Sequence, residues 1–166
     1  TKALEIRSQY NFNPADIAHS FKSLCELYFI WDLPIKANKY LNMTDSINNI
    51  IINNRLTEYS DLDDIAFNLS NNYVGNCYEY QGEYFLRAKE YKKAINSYKE
   101  AKEYYNDFAF QKISLQNKIA KSYYLDKDYH NSLVNIDECI SLSKEKNLKN
   151  EMEIALELKI KVLNKL

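Results

Sequence analysis

Residues 76–107 read NCYEYQGEYFLRAKEYKKAINSYKEAKEYYND, and this stretch decides the fold. Its apolar residues recur at helical spacing on both sides of a polar break, which predicts two helices folded back on each other. Small residues stand where the helices must touch, with Gly82 in the first helix and Ala94 and Ala101 in the second. Large aromatic residues occupy the positions between them: Tyr78, Phe85, Tyr91 and Tyr98.

The composition favours a helical, globular chain. Hydrophobic residues make up 46% and charged residues 27% of the 166 residues, which is typical of a folded domain. Only two glycines and two prolines are present, too few for a fold with many turns. A chain of this length is long enough to bury a continuous apolar core. We therefore expect an all-α fold.

The charge is nearly balanced, with a net charge of −1 from 22 basic and 23 acidic side chains. Proteins that bind nucleic acids concentrate basic residues on one face or along one helix. Neither half of this sequence carries such an excess. We expect no nucleic-acid partner for this segment.

The three cysteines indicate a reducing compartment. Cys25, Cys77 and Cys139 are odd in number, widely spaced and set in apolar helical contexts, unlike the dense cysteines of disulfide-stabilised secreted domains. The longest apolar run, residues 27–31, is far too short to span a bilayer, and no signal-peptide pattern is seen. The expected location is cytoplasmic, without membrane association.

The N-terminal region has clear helix signals. Apolar spacing predicts a helix from Ala15 to Ile30, for which Pro14 is a suitable first residue. The sequence Asp-Leu-Pro at 32–34 should end it. A short helix over 35–41 is then expected, followed by a new helix that opens at Thr44.

Residues 60–64, Ser-Asp-Leu-Asp-Asp, mark the next helix start. Their carboxylates are expected to cap the helix and interact with its dipole. A cation site is the alternative, but the glycine-containing loop and closing glutamate of a calcium site are missing. The helix that begins here should be long, ending near Lys89 and Glu90.

The pattern of residues 76–107 resembles the tetratricopeptide repeat, in which eight positions along two helices carry mostly large or small apolar residues. Seven of the eight positions fit, because Gln81 replaces the usual leucine, and Asn106 stands where a final proline is common. The resemblance implies a right-handed solenoid of helical hairpins. The eight positions hold Tyr78, Gln81, Gly82, Phe85, Tyr91, Ala94, Tyr98 and Ala101.

A weaker second copy follows 38 residues later, where Lys-Asp-Tyr at 127–129 repeats Lys-Glu-Tyr at 89–91. An ordinary helical bundle is the alternative, and recurrence at a fixed spacing favours the repeat. The matching positions of the second copy are Ile119, Ala120, Tyr123, Ser132, Ile136 and Cys139. The last apolar stripe, Met152, Ala155, Leu156, Ile160 and Leu163, fits either a third first helix or a capping helix.

These observations predict two regions. Residues 1–60 form an N-terminal helical segment, in which 21–41 resembles a degenerate repeat. Residues 61–166 hold the repeats, with 76–107 as the best unit, 114–145 as the second unit and 148–166 as the terminal or capping helix.

Repeats of about 40 residues that are rich in Tyr and Lys resemble those of the peptide-pheromone receptors of Gram-positive bacteria and their phages. These are the Rap-type phosphatases, the NprR- and PlcR-type regulators and the arbitrium receptors. The resemblance covers residues 61–166 and implies the sensor part of a peptide-responsive regulator. Residues 1–60 contain no basic recognition helix, so DNA binding by this segment is not expected.

The concave face of such a solenoid is lined by the first helix of each repeat. Asn117 is the main candidate, because its amide can both donate to and accept from an extended peptide backbone. Lys121 is placed to pair with a peptide carboxylate. Glu79 and Glu83 replace part of the basic clamp that binds acidic tails in some tetratricopeptide domains, which disfavours such a ligand. The full set is Asn76, Glu79, Glu83, Leu86 and Arg87 in the first unit and Ser114, Asn117, Lys121, Tyr124 and Leu125 in the second.

Nothing in the sequence indicates catalysis. His19 and His130 are the only histidines, and neither lies in a motif with a nucleophile or a carboxylate. No spacing predicts a metal site, and no glycine-rich loop predicts a phosphate or cofactor site.

We expect a non-catalytic module that binds a peptide or protein segment. The alternatives are an oligomerisation or assembly scaffold, with Trp31 and exposed tyrosines as anchors in a homodimer, and a regulator of response-regulator phosphorylation.

Overall fold

The computed structural model describes the backbone of residues 14–57, 61–105 and 108–166 and the side chains of 14–53, 67–105 and 108–166. This part of the chain contains seven α-helices and no β-strand, which confirms the all-α prediction. The helices are α1 (Pro14–Ile30), α2 (Pro34–Thr57), α3 (Asp61–Arg87), α4 (Tyr91–Tyr104), α5 (Ala109–Leu125), α6 (Tyr129–Glu145) and α7 (Lys149–Leu163).

The chain forms two compact units, Thr1–Cys77 and Tyr78–Leu166, and the division between them falls inside α3. The boundary expected after residue 60 lies outside the described residues. So do Ser60, the capping side chains of 61–64 and Asn106. The long helix that was expected to run from this region to the turn at Lys89 and Glu90 is confirmed as α3.

In the first unit, α1 packs against α2. Pro14 is the first residue of α1, as predicted, and the buried core includes Cys25, Phe29 and Ala37. The expected break between 41 and 44 is wrong, because α2 continues through it. The Thr44 hydroxyl donates to the carbonyl of Tyr40 at 2.8 Å, so this threonine lies within the helix and does not cap a new one.

In the second unit, the C-terminal part of α3 packs on α4 around Gly82. A Cβ atom at this position would lie 2.5 Å from Cδ1 of the Tyr98 ring, so only glycine fits without a shift. Ala94, Tyr98 and Ala101 are fully buried. Gln81, at the position where leucine is usual, accepts a hydrogen bond from Ser97 at 2.9 Å. The polar exception is thus paired across the hairpin.

The remaining helices pack in sequence, α5 on α6 and α6 on α7, and α5 also contacts α7. Helices α4 and α6 begin 38 residues apart, at Tyr91 and Tyr129. At the same spacing, Ser132 is buried like Ala94, and its hydroxyl donates to the carbonyl of Ala120 at 2.9 Å. The small residues of both hairpins therefore lie at the helix contacts.

Four of the helix connections share one turn geometry. Each has a single residue with a positive φ, at Asp32, Lys89, Lys127 or Asn147. The two amides at each turn bond back to carbonyls of the preceding helix. At the third turn, for example, the Asp128 N–H donates to Tyr123 at 2.9 Å and the Lys127 N–H donates to Tyr124 at 3.1 Å. This is the Schellman pattern, and it ends one helix and starts the next within three residues.

Candidate functional site

A cleft of about 370 Å³ lies between α5 and α7 in the second unit. Its size falls at the lower end of the range for ligand sites in proteins. The α5 wall contains all five residues that the sequence placed on the concave face of the second repeat unit: Ser114, Asn117, Lys121, Tyr124 and Leu125. The other lining residues are Lys118 on α5 and Glu151, Ile154, Glu157, Leu158 and Lys161 on α7.

Asn117 and Glu151 join the two walls of the cleft. The Asn117 amide nitrogen donates to the backbone carbonyl of Glu151 at 3.0 Å and to its carboxylate at 2.8 Å. Both residues are buried, and Glu151 lies in the first turn of α7, where the helix dipole favours a negative charge. The contact fixes α5 against α7 at the base of the cleft.

Lys118 binds both glutamates that the sequence placed on the first repeat unit. Its ammonium lies 2.9 Å from Glu79 and 2.6 Å from Glu83, and the Tyr105 hydroxyl also donates to Glu79 at 3.2 Å. Burial alone lowers the pKa of Lys118, but the hydrogen bonds and charges of the two carboxylates outweigh it and raise that pKa above its ordinary value. The glutamates are therefore engaged within the protein.

The charges around the cleft nearly cancel. The lining includes three lysines and two glutamates, namely Lys118, Lys121, Lys161, Glu151 and Glu157. Lys118 is already paired with Glu79 and Glu83. No ion pair of Lys121 or Lys161 is found in the described part of the chain. These two exposed cations lie on opposite walls, so they are the groups most accessible to a ligand's negative charge.

The walls between the charges are apolar. Tyr124 and Leu125 contribute from α5, and Ile154 and Leu158 contribute from α7. Ile154 is 50% exposed although it is a large aliphatic residue. An open cleft with apolar walls and a few polar groups suits an apolar side chain that is carried on a polar backbone.

The other residues predicted for the site lie elsewhere. Leu86 packs on the core of the α3–α4 hairpin, and Arg87 is exposed at the end of α3. Asn76 belongs to the first compact unit, whereas the cleft lies wholly in the second. The structure thus brings together the α5 candidates and leaves these three residues outside the lining.

The α7 wall was missed by sequence reasoning. The final apolar stripe was assigned to either a third first helix or a capping helix. Of its members Ala155 is buried, whereas Leu156, Ile160 and Leu163 are exposed. Ile154, Glu157 and Lys161 lie on another side of that helix and line the cleft. The useful signal was the 38-residue spacing, because the residues that follow those of α5 by this spacing lie mostly in α7.

Metal-binding clusters, membrane-spanning helices and similar proteins were also sought. No group of three or more His, Cys, Asp or Glu side chains in that part of the chain is placed to hold a metal ion. Among the helices described, none has the length and apolar character needed to cross a membrane. Comparisons with protein-family models, curated proteins and solved structures found no match to this chain.

Proposed function

We propose that the chain is a peptide- or protein-binding module of the helical-repeat class and that its ligand occupies the cleft between α5 and α7. The observation that supports this best is the composition of the α5 wall. All five residues that the repeat resemblance assigns to the concave face of the second unit line the cleft, together with Lys118.

The tetratricopeptide character is part of the same proposal. Its support is the glycine-to-tyrosine contact in the first hairpin and the recurrence of buried small residues at the same spacing in the second. The role of a sensor in a peptide-responsive regulator rests on the resemblance of the repeats. Non-catalytic action is likewise part of the proposal.

Saturable binding of a linear peptide tests the proposal. Peptides selected from a random library on the immobilised chain should bind the free protein in fluorescence anisotropy. Lys121→Glu should weaken this binding, because the residue is exposed on the cleft wall and its replacement puts a third carboxylate beside Glu151 and Glu157. Lys99→Glu is the matched control, since Lys99 is exposed on α4 and lies outside the cleft lining.

Thermal melting shows whether each variant retains the fold. If Lys121→Glu leaves peptide affinity equal to that of wild type while Lys99→Glu does the same, the ligand does not occupy the cleft. If no peptide binds saturably, the peptide-binding proposal fails.

A second candidate function is assembly through the turn between α1 and α2. Trp31 is 59% exposed there, and Ile30 and Ile35 beside it are 55% and 88% exposed. Aromatic anchors of this kind are enriched at protein interfaces. Light scattering over a wide range of protein concentration tests this function. An oligomer that Trp31→Ser dissociates supports assembly, and a monomer at every concentration rejects it.

A further inference from the structure

In the Asn117 side chain the amide nitrogen is hydrogen-bonded and the amide oxygen is not. A primary amide has two N–H donors, and both are directed to Glu151 acceptors. Because both partners are acceptors, the nitrogen and oxygen of the amide are assigned without ambiguity. The oxygen, Oδ1, has no hydrogen-bond partner and is shielded from solvent, and the residue as a whole is 5% exposed.

We infer that Asn117 can only accept a hydrogen bond from a ligand, because both of its donors are used by Glu151. The cleft therefore selects a ligand that brings an N–H donor together with an apolar side chain. The inference rests on the proposed peptide-binding function and makes it more specific. A peptide unit satisfies it when an apolar residue enters between Tyr124 and Ile154 and the backbone N–H of the peptide reaches Oδ1. A peptide carbonyl directed at Oδ1 is rejected, because two acceptors repel each other.

The surroundings of Asn117 favour this selection over selection by charge. The lining charges nearly cancel, so a net charge on the ligand gains little from the cleft as a whole. The buried, unpaired acceptor, in contrast, costs free energy in the ligand-free protein. A ligand donor removes that cost and gains a hydrogen bond that is shielded from solvent.

Binding must include a local movement. Oδ1 is covered in the ligand-free structure, so a donor contacts it only after the side chains around it shift. The two Glu151 contacts hold Asn117 in place during this shift. The amide therefore presents the same atom to every ligand, which differs from the two-way pairing with a peptide backbone that the sequence predicted.

The first test removes single donors from the ligand. A peptide selected from the random library is synthesised with each backbone amide replaced in turn by an ester, which lacks the N–H and adds no bulk. We expect one position, next to an apolar residue, where the ester weakens binding to the wild-type chain about tenfold or more. A scan in which no position responds overturns the inference.

The second test removes the acceptor from the protein. Asn117→Leu combined with Glu151→Met replaces both buried partners by apolar groups of similar size, which preserves folding better than a single change. Peptide affinity should fall about tenfold, and the ester at the sensitive position should no longer weaken binding. The matched control is Gln116→Leu with Glu138→Met, another amide–carboxylate pair, 2.6 Å apart, whose residues lie outside the cleft lining.

The outcomes separate this inference from the proposed function. If peptides bind but the ester effect persists in the Asn117–Glu151 double variant, the acceptor role is wrong and the binding function stands. If no library peptide binds the wild-type chain, both are wrong. Should the double variant fail to fold, an ester scan on the wild-type chain in which no position responds still overturns the inference.

Discussion

Gly82 leaves no room for a side chain in the α3–α4 hairpin unless its neighbours shift. Its replacement by Ala should destabilise the chain by about 1–3 kcal/mol, because the added methyl group must displace the buried Tyr98 ring. The higher helix propensity of alanine, about 1 kcal/mol, offsets only part of this loss. Urea denaturation followed by circular dichroism measures the difference.

A control for the helix propensity of alanine is Asn96→Ala, on the exposed side of α4. It should leave stability unchanged or raise it slightly. Equal or greater stability of the Gly82→Ala protein would show that the close contact between the two helices is absent in solution.

Asn117 also has a structural role, since its amide donates to the buried Glu151 carboxylate. Asn117→Ala should cost about 1–3 kcal/mol in stability, because the buried Glu151 carboxylate loses its amide donor. If Asn117 served ligand binding alone, alanine here would weaken binding without lowering stability. A thermal melt separates these expectations: a melting temperature equal to that of wild type would mean that the Asn117–Glu151 contact contributes little.

At the scale of the elements, the repeated turn explains how helices meet without glycine. A residue with side chain at positive φ is strained by about 1–2 kcal/mol, and Lys127 has a φ of 63°. Lys127→Gly should therefore raise the free energy of unfolding, by about 0.5–1 kcal/mol once the greater freedom of the unfolded chain is counted. Lys144→Gly, inside α6, should lower it. Chemical denaturation of the two variants checks both signs.

The turn also determines the pH dependence of the α6 cap. Hydrogen bonds from the Asn131 side chain and backbone lower the pKa of the Asp128 carboxyl from its ordinary value of about 3.8. A lowered pKa means that the stabilisation is fully present above pH 3.8 and is lost as the pH falls through the lower, folded-state pKa. Asp128→Asn keeps a capping oxygen but cannot titrate.

We expect the stability difference between wild type and Asp128→Asn to shrink as the pH is lowered from about 6 to about 2. Thermal melts at several pH values measure it. Asp128→Ala, which loses the cap entirely, should be less stable than Asp128→Asn by about 1 kcal/mol at every pH. A pH-independent difference between wild type and Asp128→Asn would contradict the cap.

Sequence patterns predicted some elements of this fold and not others, for physical reasons. Helical spacing located α1, the end of α3 and the hairpin around Gly82, because burial imposes the same periodicity on the sequence and on the structure. It failed at Thr44, since a threonine that bonds to its own helix looks like a cap in a sequence. The repeat resemblance placed five of the six α5 lining residues on the concave face and missed Lys118. The Asn117–Glu151 contact was not predicted, because long-range pairing of polar side chains leaves no local pattern.

At the scale of the whole molecule, the two compact units predict two separable unfolding events. The three cysteines suit a test, because each is fully buried and outside any disulfide, with Cys25 and Cys77 in the first unit and Cys139 in the second. Burial raises the pKa of the Cys139 thiol to about 11. A hydrogen bond with the Cys77 thiol, together with burial, raises the pKa of the Cys25 thiol. The native thiols should therefore react with a thiol reagent only when their unit opens.

Pulsed thiol labelling at increasing urea, with the labelled cysteine identified by mass spectrometry, distinguishes the units. Gly82→Ala weakens the second unit, so it should shift the labelling of Cys139 to lower urea and leave the labelling of Cys25 nearly unchanged. Asn96→Ala should shift neither. An equal shift at both cysteines would mean that the chain unfolds as one cooperative body. In that case α3, which runs through the division at Cys77 and Tyr78, transmits the loss of packing at Gly82 along its whole length.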